Sequence, residues 1–277
     1  MNHKVTPPVG VGATQALSLR VSVASLVRLL FKSPGDGEWT LALERKATLH
    51  EVEHAEVVAI RAQPFGGAVR ILDIRAFHEL IGDFHFDNEG SRAENDLRIF
   101  IRPSSWPEVS SVCIEHLSRE RDPLLESDPE RELTEELHDA LKIMLNTAQY
   151  TRKPIGTIVE GQPRPSENPR AWGYPTVRIY RIYQATITDI DLAQKLIQNS
   201  AGISDRMLYE RADQDVRAGG RGRANAVLTL PLKKVLAYYA ALSPPERDHP
   251  TVFEGYSLEE TVPAVLDGIR VPKYRQV

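Results

Sequence analysis

The stretch TVRIYRIYQATI, residues 176–187, constrains the fold more than any other part of the sequence. Apolar and polar side chains alternate along it, which predicts a β-strand with one buried face. Similar runs predict strands at residues 17–31, 38–47, 56–62, 96–103, 154–162 and 226–231. Helical spacing and end signals predict helices at residues 105–119, 128–147, 189–199 and 232–242. Because strands and helices do not alternate regularly, we expect an α+β fold with a mixed sheet.

The composition indicates a globular protein with a sizeable core. Of 277 residues, 42% are hydrophobic and 26% are charged, and the net charge of -4 provides no general positive field for nucleic acid or a membrane surface. No apolar run reaches the ~18 residues of a membrane-spanning helix, and the N-terminus has no secretory signal pattern. The single cysteine, Cys113, excludes a disulfide within the chain, so we expect a cytoplasmic protein.

The segment ESDPERELTEELHDAL is strongly acidic and has helical spacing. Asp128 is a suitable N-cap and Pro129 suits the first helical position, so we expect the helix to begin there. Glu132, Glu135 and Glu136 then share one helical face, since residues three and four apart are neighbours. Two interpretations of this face stay open: a solvated acidic surface, or a set of oxygen ligands for a divalent cation.

Four pieces of the sequence, taken in order, resemble the Nudix hydrolase family. RELTEEL at residues 131–137 resembles the centre of the family motif, and PFGGAVR at residues 64–70 resembles the Gly-rich turn before it. TVRIYRIYQATI is similar to the long strand after the motif helix, and AVLTLPLKKVLAYYAAL to the closing strand and helix. The common order supports the resemblance, because a short acidic pattern alone is weak evidence. The family fold implied is a mixed sheet sandwiched between helices.

The sequence also departs from the family motif. The glycine and the glutamate expected upstream fall on Leu117 and Pro123, and the glycine expected after the paired glutamates is replaced within Leu-His-Asp. We therefore expect a divergent member whose motif is either still catalytic or only able to bind.

The resemblance also predicts the domain organisation. We expect a flexible leader (residues 1–16), a Nudix-like domain (residues 17–242) with an insertion at about residues 73–125, and a C-terminal extension (residues 243–277). The insertion, containing FDNEGSRAENDLRIFIRPSSWPEV, is similar in layout to Nudix domains associated with bacterial second-messenger nucleotide synthases in antiphage defence. This similarity implies a role in, or beside, a nucleotide-signalling pathway.

The resemblance assigns roles to the acidic helix. Glu132 would be a metal ligand or the base that activates water, with Arg131 orienting it through a charge-assisted hydrogen bond. Glu135 and Glu136 would be further ligands. The implied cofactor is magnesium or manganese, which neutralises charge on a pyrophosphate under attack by water.

A phosphate-containing substrate also requires cations and a surface for its base. Arg70 and Arg98 are candidates for the phosphates, and Trp172 is a candidate for stacking on a base, which contributes about 1–3 kcal/mol. The alternative for each is an ordinary surface charge or a loop anchor. The basic, Gly-rich residues 211–225 are predicted to form a flexible loop, since they lack the context of a phosphate-binding loop.

Two functions follow from the sequence. The first is a magnesium-dependent hydrolase of a nucleoside diphosphate linked to another group. The alternative is a catalytically inactive Nudix-fold module that senses a nucleotide or contacts a protein partner. Both imply a nucleotide-type small molecule as ligand, and both are compatible with a monomer or a homodimer.

Overall fold

The computed structural model describes residues 18–52, 55–142, 145–166, 171–220, 222–247 and 249–266; the predicted leader lies outside them. The strands are β1 (Leu19–Lys32), β2 (Trp39–Val52), β3 (Ala55–Gln63), β4 (Phe65–Ala68), β5 (Arg70–Ile71), β6 (His85–Phe86), β7 (Arg98–Ile101), β8 (Leu125–Glu126), β9 (Tyr150–Pro165), β10 (Pro175–Ile187), β11 (Arg223–Pro231), β12 (Thr251–Phe253) and β13 (Tyr256–Leu258). The helices are α1 (Ile74–Ile81), α2 (Glu89–Glu94), α3 (Trp106–Leu117), α4 (Glu130–Leu141), α5 (Ile190–Gly202), α6 (Asp205–Arg217), α7 (Leu232–Ala241), α8 (Pro244–Arg247) and α9 (Val262–Leu266).

The chain divides into two compact units. Among the described residues, the first unit contains residues 18–24, 68–127 and 159–179. The second unit contains the described residues of 25–67, 128–158 and 180–266. None of the helices in the described part of the chain is long and apolar enough to cross a membrane.

The first unit is built on short antiparallel pairs. Strand β7 pairs with the start of β1 and with β6, and β5 pairs with β8. Val21 and Ile99 from the strands pack with Phe77 of α1 and Cys113 of α3, and all four are fully buried. Burial raises the pKa of the Cys113 thiol to about 12, so this cysteine is a small apolar core residue.

The second unit is organised around β2. Strand β2 pairs antiparallel with β11 along one side and with β1 and β3 along the other. Strand β13 joins β3 in parallel and forms an antiparallel pair with β12. Phe253, Leu258 and Val262 from this last part of the chain are buried in the same apolar cluster as Leu41 of β2. The sheet is therefore mixed, and residues 251–266 belong to the packed unit.

Helices cover both faces of the sheet of the second unit. Leu133 of α4 and Leu196 of α5 pack with Val227 of β11. Leu228, the next residue of β11, packs with Val235 of α7. Because successive strand residues point to opposite faces, α4 and α5 lie on one face and α7 lies on the other. The predicted α+β fold, with a mixed sheet sandwiched between helices, is confirmed.

The prediction of a flexible loop at residues 211–225 is wrong. Most of this stretch belongs to α6 and β11. The Ser204 hydroxyl caps α6 by accepting a hydrogen bond from the Met207 N–H at 3.3 Å, and Leu208 and Ala212 are buried one helical turn apart. The glycines occupy only the short connection between the helix and the strand, so composition alone overestimated the loop.

Helix α4 is shorter than the predicted helix at residues 128–147. Pro129 stands at the N-cap, and the Asp128 carboxylate accepts a hydrogen bond from the Glu130 N–H at 2.9 Å. Lys142 ends the helix in the left-handed conformation with φ of 58°. A non-glycine residue adopts this conformation at a small cost, which a helical sequence pattern does not reveal.

The packing of α4 predicts a large effect of Leu137→Ala. Leu137 is fully buried against the sheet, and removing its side chain leaves a cavity. We expect the free energy of unfolding to fall by about 2–5 kcal/mol, measured by urea denaturation. Asp139→Ala, at an exposed position of the same helix, is the matched control, for which we expect a change within about 0.5 kcal/mol. Equal stability of the two variants would contradict this packing.

Candidate active site

Glu132 of α4 lies against the turn formed by Gly66 and Gly67. A Cβ atom added at Gly67 would lie 2.5 Å from the Cδ atom of Glu132, so the absence of a side chain makes room for this carboxylate. Arg131 contacts the same carboxylate, with 2.7 Å between its Nη2 atom and Oε1 of Glu132. The predicted contact of Arg131 with Glu132 is therefore present, whereas their catalytic roles stay predictions.

Glu136 lies one helical turn after Glu132 and faces the same turn. The residue is only 9% exposed, and its Oε2 atom accepts a hydrogen bond from the Gly66 N–H at 2.8 Å. Gly66 has a φ of 126°, and a Cβ there would lie 2.1 Å from the Ser25 carbonyl oxygen. Only glycine fits this position, because both the backbone conformation and the available space exclude a side chain.

A third carboxylate, Glu44 of β2, is fully buried on the face of the sheet that α4 covers. Its Oε2 atom accepts a hydrogen bond from Nε2 of Gln63 at 2.7 Å and lies 3.4 Å from the Lys46 ammonium. Burial, and next the charge of Glu44, raise the pKa of Glu136 well above its ordinary value. Lys46 and the Gly66 N–H act in the opposite direction. Glu44 and Glu136 thus form a pair of buried carboxyl groups.

Glu135 differs from its neighbours on α4. Its side chain is 60% exposed, and its Oε2 atom accepts a hydrogen bond from Nη1 of Arg131 at 3.2 Å. Arg131 therefore contacts two glutamates and holds Glu135 toward the solvent side of the helix. The three glutamates predicted as metal ligands are close in sequence, but only Glu132 and Glu136 face the glycine turn.

The donor chemistry of the site fits a hard divalent cation. Carboxylate oxygens are the ligands that magnesium prefers, and the repulsion that disfavours a charged Glu136 is the kind that a cation relieves. Within the described residues, however, no group of three or more His, Cys, Asp or Glu side chains is arranged to hold a metal ion. The residues present thus match a cation in type, while the three predicted ligands do not converge.

The predicted substrate-binding residues lie in the first unit. Arg70 is in β5, opposite Glu126 of β8. Arg98 is in β7 and forms an ion pair with Asp96 at 3.1 Å. Trp172 is 68% exposed. The acidic helix belongs to the second unit, so a shared site of these three residues with α4 stays a prediction.

Sequence reasoning missed Glu44, Lys46 and Gln63. The signal was present in β2, where Ala42, Glu44 and Lys46 alternate with apolar Leu41 and Leu43. A carboxylate and an ammonium two residues apart on one strand face resemble an ordinary solvated face. Only the pairing of β2 with β11 and its packing against α4 show that this face is buried.

The raised pKa of Glu136 predicts a pH-dependent gain in stability for Glu136→Gln. An acid whose folded-state pKa is raised disfavours folding progressively as pH rises above its unfolded value of 4.5. The glutamine removes this cost, so we expect it to raise the melting temperature at pH 8 more than at pH 5, measured in a chelator. Glu135→Gln, at the exposed neighbour, is the control. A stability difference independent of pH would contradict the prediction.

Comparison with known proteins agrees with this architecture. The family model of SMODS-associated NUDIX domains matches residues 52–228, which include the glycine turn, α4 and most of β11. No curated protein and no solved structure matches the chain. Because the family model covers more than half of the chain, the protein belongs to the family of SMODS-associated NUDIX domains.

Proposed function

We propose that this protein is a magnesium-dependent pyrophosphohydrolase that acts on a nucleoside diphosphate linked to another group, with manganese as an alternative cofactor. The observation that carries the proposal is the placement of Glu132 and Glu136 against the Gly66–Gly67 turn. Membership of the NUDIX family supports a nucleotide-type ligand.

In the proposed reaction, Glu132 is the general base. Its carboxylate takes a proton from water, the water oxygen bonds to a phosphorus atom, and the bond from that phosphorus to the bridging oxygen breaks. The products are a nucleoside monophosphate and the phosphate of the attached group. Arg131, at 2.7 Å, holds the Glu132 carboxylate in place and limits its rotation.

Glu132 and Glu136 would hold the cation beside the glycine turn, and we retain Glu135 as the further ligand that the family resemblance implies. When bound, it supplies neutralisation of the charge on the phosphate oxygens. For substrate binding we retain Arg70, Arg98 and Trp172 as predicted contacts. We further propose that the protein acts in the bacterial cytoplasm within a nucleotide-signalling or defence pathway, which the description of its family as SMODS-associated supports.

Replacement of the glutamates tests the reaction directly. With a panel of nucleoside diphosphate derivatives in magnesium or manganese, we expect Glu132→Gln to lower the rate by about 100-fold or more, since it removes the base. We expect Glu135→Gln and Glu136→Gln to raise the metal concentration needed for half-maximal rate. Asp139→Asn, on the exposed side of α4, is the control. Equal hydrolysis by all four variants and the wild type would defeat the assigned roles.

A second candidate function is a nucleotide sensor that binds without hydrolysis. It is favoured by the exposed position of Glu135 and by the absence, among the described residues, of a converging group of three metal-ligating side chains. Calorimetric binding of a nucleotide from the panel, with no turnover in either metal, would support the sensor and exclude the hydrolase.

Metal binding itself predicts a shift in thermal stability. A cation that binds only the folded state stabilises it by mass action, by about 2.7 kcal/mol at a hundred times its dissociation constant. We therefore expect magnesium to raise the melting temperature of the wild type, and to have little effect on the Glu132→Gln/Glu136→Gln double variant. An unchanged wild-type melting temperature would contradict a cation site at Glu132 and Glu136.

A further inference from the structure

A row of polar side chains crosses the sheet of the second unit beside the buried carboxylates. Lys46 of β2 is directly opposite Asn225 of β11 on one side and Arg61 of β3 on the other. Directly opposite residues project from the same face of a sheet. The next row, two residues along β2, contains Glu44 between Val227 and Gln63. We call Lys46, Arg61 and Asn225 the polar row.

The polar row lies on the face that carries α4. Val227 projects from the same face as Asn225, two residues along β11, and packs with Leu133 and Leu137 of α4. Glu44 is fully buried under this contact, whereas the Lys46 side chain is 26% exposed and the Arg61 side chain is 38% exposed. The side chains of Lys46 and Arg61 are therefore more exposed than Glu44, and a ligand can reach these two cations from solvent.

The side chains of Lys46 and Arg61 have more N–H donors than their two ion-pair contacts use. The Lys46 ammonium lies 3.4 Å from Glu44, and Nη1 of Arg61 lies 3.4 Å from Oε1 of Glu259. Both distances are longer than the ~2.7–2.9 Å typical of a strong charge-assisted hydrogen bond. An ammonium has three N–H donors and a guanidinium has five, so these long contacts leave capacity for an anion.

Asn225 contributes an unused acceptor. Its Oδ1 atom is buried and accepts no hydrogen bond from the described residues. Buried polar atoms without a partner are uncommon in folded proteins. A hydroxyl or amino group of a ligand would satisfy this oxygen, which belongs to the residue directly opposite Lys46 in the strand pair.

We propose that the polar row is the anion subsite of this protein, in which Lys46 and Arg61 bind a diphosphate and Asn225 binds a donor group of the attached nucleoside. A guanidinium suits two phosphate oxygens through its fork of donors, and an ammonium suits a third as a point charge. The row adjoins Glu44 and lies on the α4 face, so a diphosphate held there is delivered to the carboxylates. The inference rests on the proposed function for its ligand class.

Calorimetry in a chelator tests the subsite without hydrolysis. Inorganic pyrophosphate, adenosine diphosphate and adenosine are the probes, at low ionic strength. We expect the wild type to bind the two diphosphates, and Arg61→Met and Lys46→Met each to weaken both by about tenfold or more. Asn225→Ala is expected to weaken adenosine diphosphate while leaving pyrophosphate unchanged. Arg206→Met and Lys233→Met, at exposed positions of α6 and α7, are the matched controls.

The Lys46→Met substitution leaves the buried Glu44 carboxylate without its cation and can therefore destabilise the fold. A second substitution at Lys46 separates an effect on binding from an effect on folding. Lys46→Arg keeps the charge, and we expect it to retain pyrophosphate binding. Arg61→Met changes a half-exposed side chain and tests the subsite independently.

The outcomes distinguish this inference from the proposed reaction. No binding of either diphosphate to the wild type, or equal affinity in the row variants and the controls, overturns the subsite. Binding that depends on Lys46 and Arg61, without turnover of the panel of nucleoside diphosphate derivatives in magnesium or manganese, supports the subsite and overturns the hydrolase. If Lys46→Met and Arg61→Met both hydrolyse a nucleotide of the panel with the wild-type rate and substrate affinity, the reaction is supported and the subsite is overturned.

Discussion

The pairing of β2 with β11 is the contact on which the candidate site depends. Nine successive residue pairs, from Arg223 opposite Thr48 to Pro231 opposite Thr40, fix the register of the two strands. A slip by one residue would move every side chain to the opposite face. If β11 slipped, Val227 would turn away from α4 and lose its packing against Leu133, and a different residue would lie opposite Glu44. The apolar contact of α4 and the polar chemistry beside it therefore depend on one register.

This arrangement places carboxyl groups where solvation is poor. Glu44 is compensated by Gln63 and Lys46, while Glu136 receives one backbone N–H and lies close to the charge of Glu44. A buried acid with incomplete compensation lowers the stability of a fold, and such costs concentrate at sites that bind or react. The same region contains Gly66 in a conformation that favours glycine. The burial of the Glu136 carboxyl group and the unusual backbone conformation of Gly66 are thus two independent unfavourable terms at the same turn.

The sequence predicted much of the sheet because its strands alternate clearly. The alternation of residues 176–187 agrees with β10 at Pro175–Ile187, and the acidic spacing agrees with the centre of α4. Helix α6 was missed because glycines and arginines after it dominated the local composition. Glu44, Lys46 and Asn225 were missed for a different reason. Their meaning depends on which residues lie opposite each other in neighbouring strands, and a single chain read in order contains no such register.

The parallel pairing of β13 with β3 has a consequence for the assembly of the sheet. Leu258 lies opposite Ala62, so two segments separated by most of the chain must meet before this end of β3 is paired on its outer side. Contacts of such long sequence separation form late, because the entropy of closing the intervening chain must be overcome first. During synthesis, β3 therefore presents unpaired backbone groups until β13 has emerged. An uncovered strand edge is a template for pairing with other chains. Pairing of β13 with β3 therefore removes one place where an incomplete chain can associate with another.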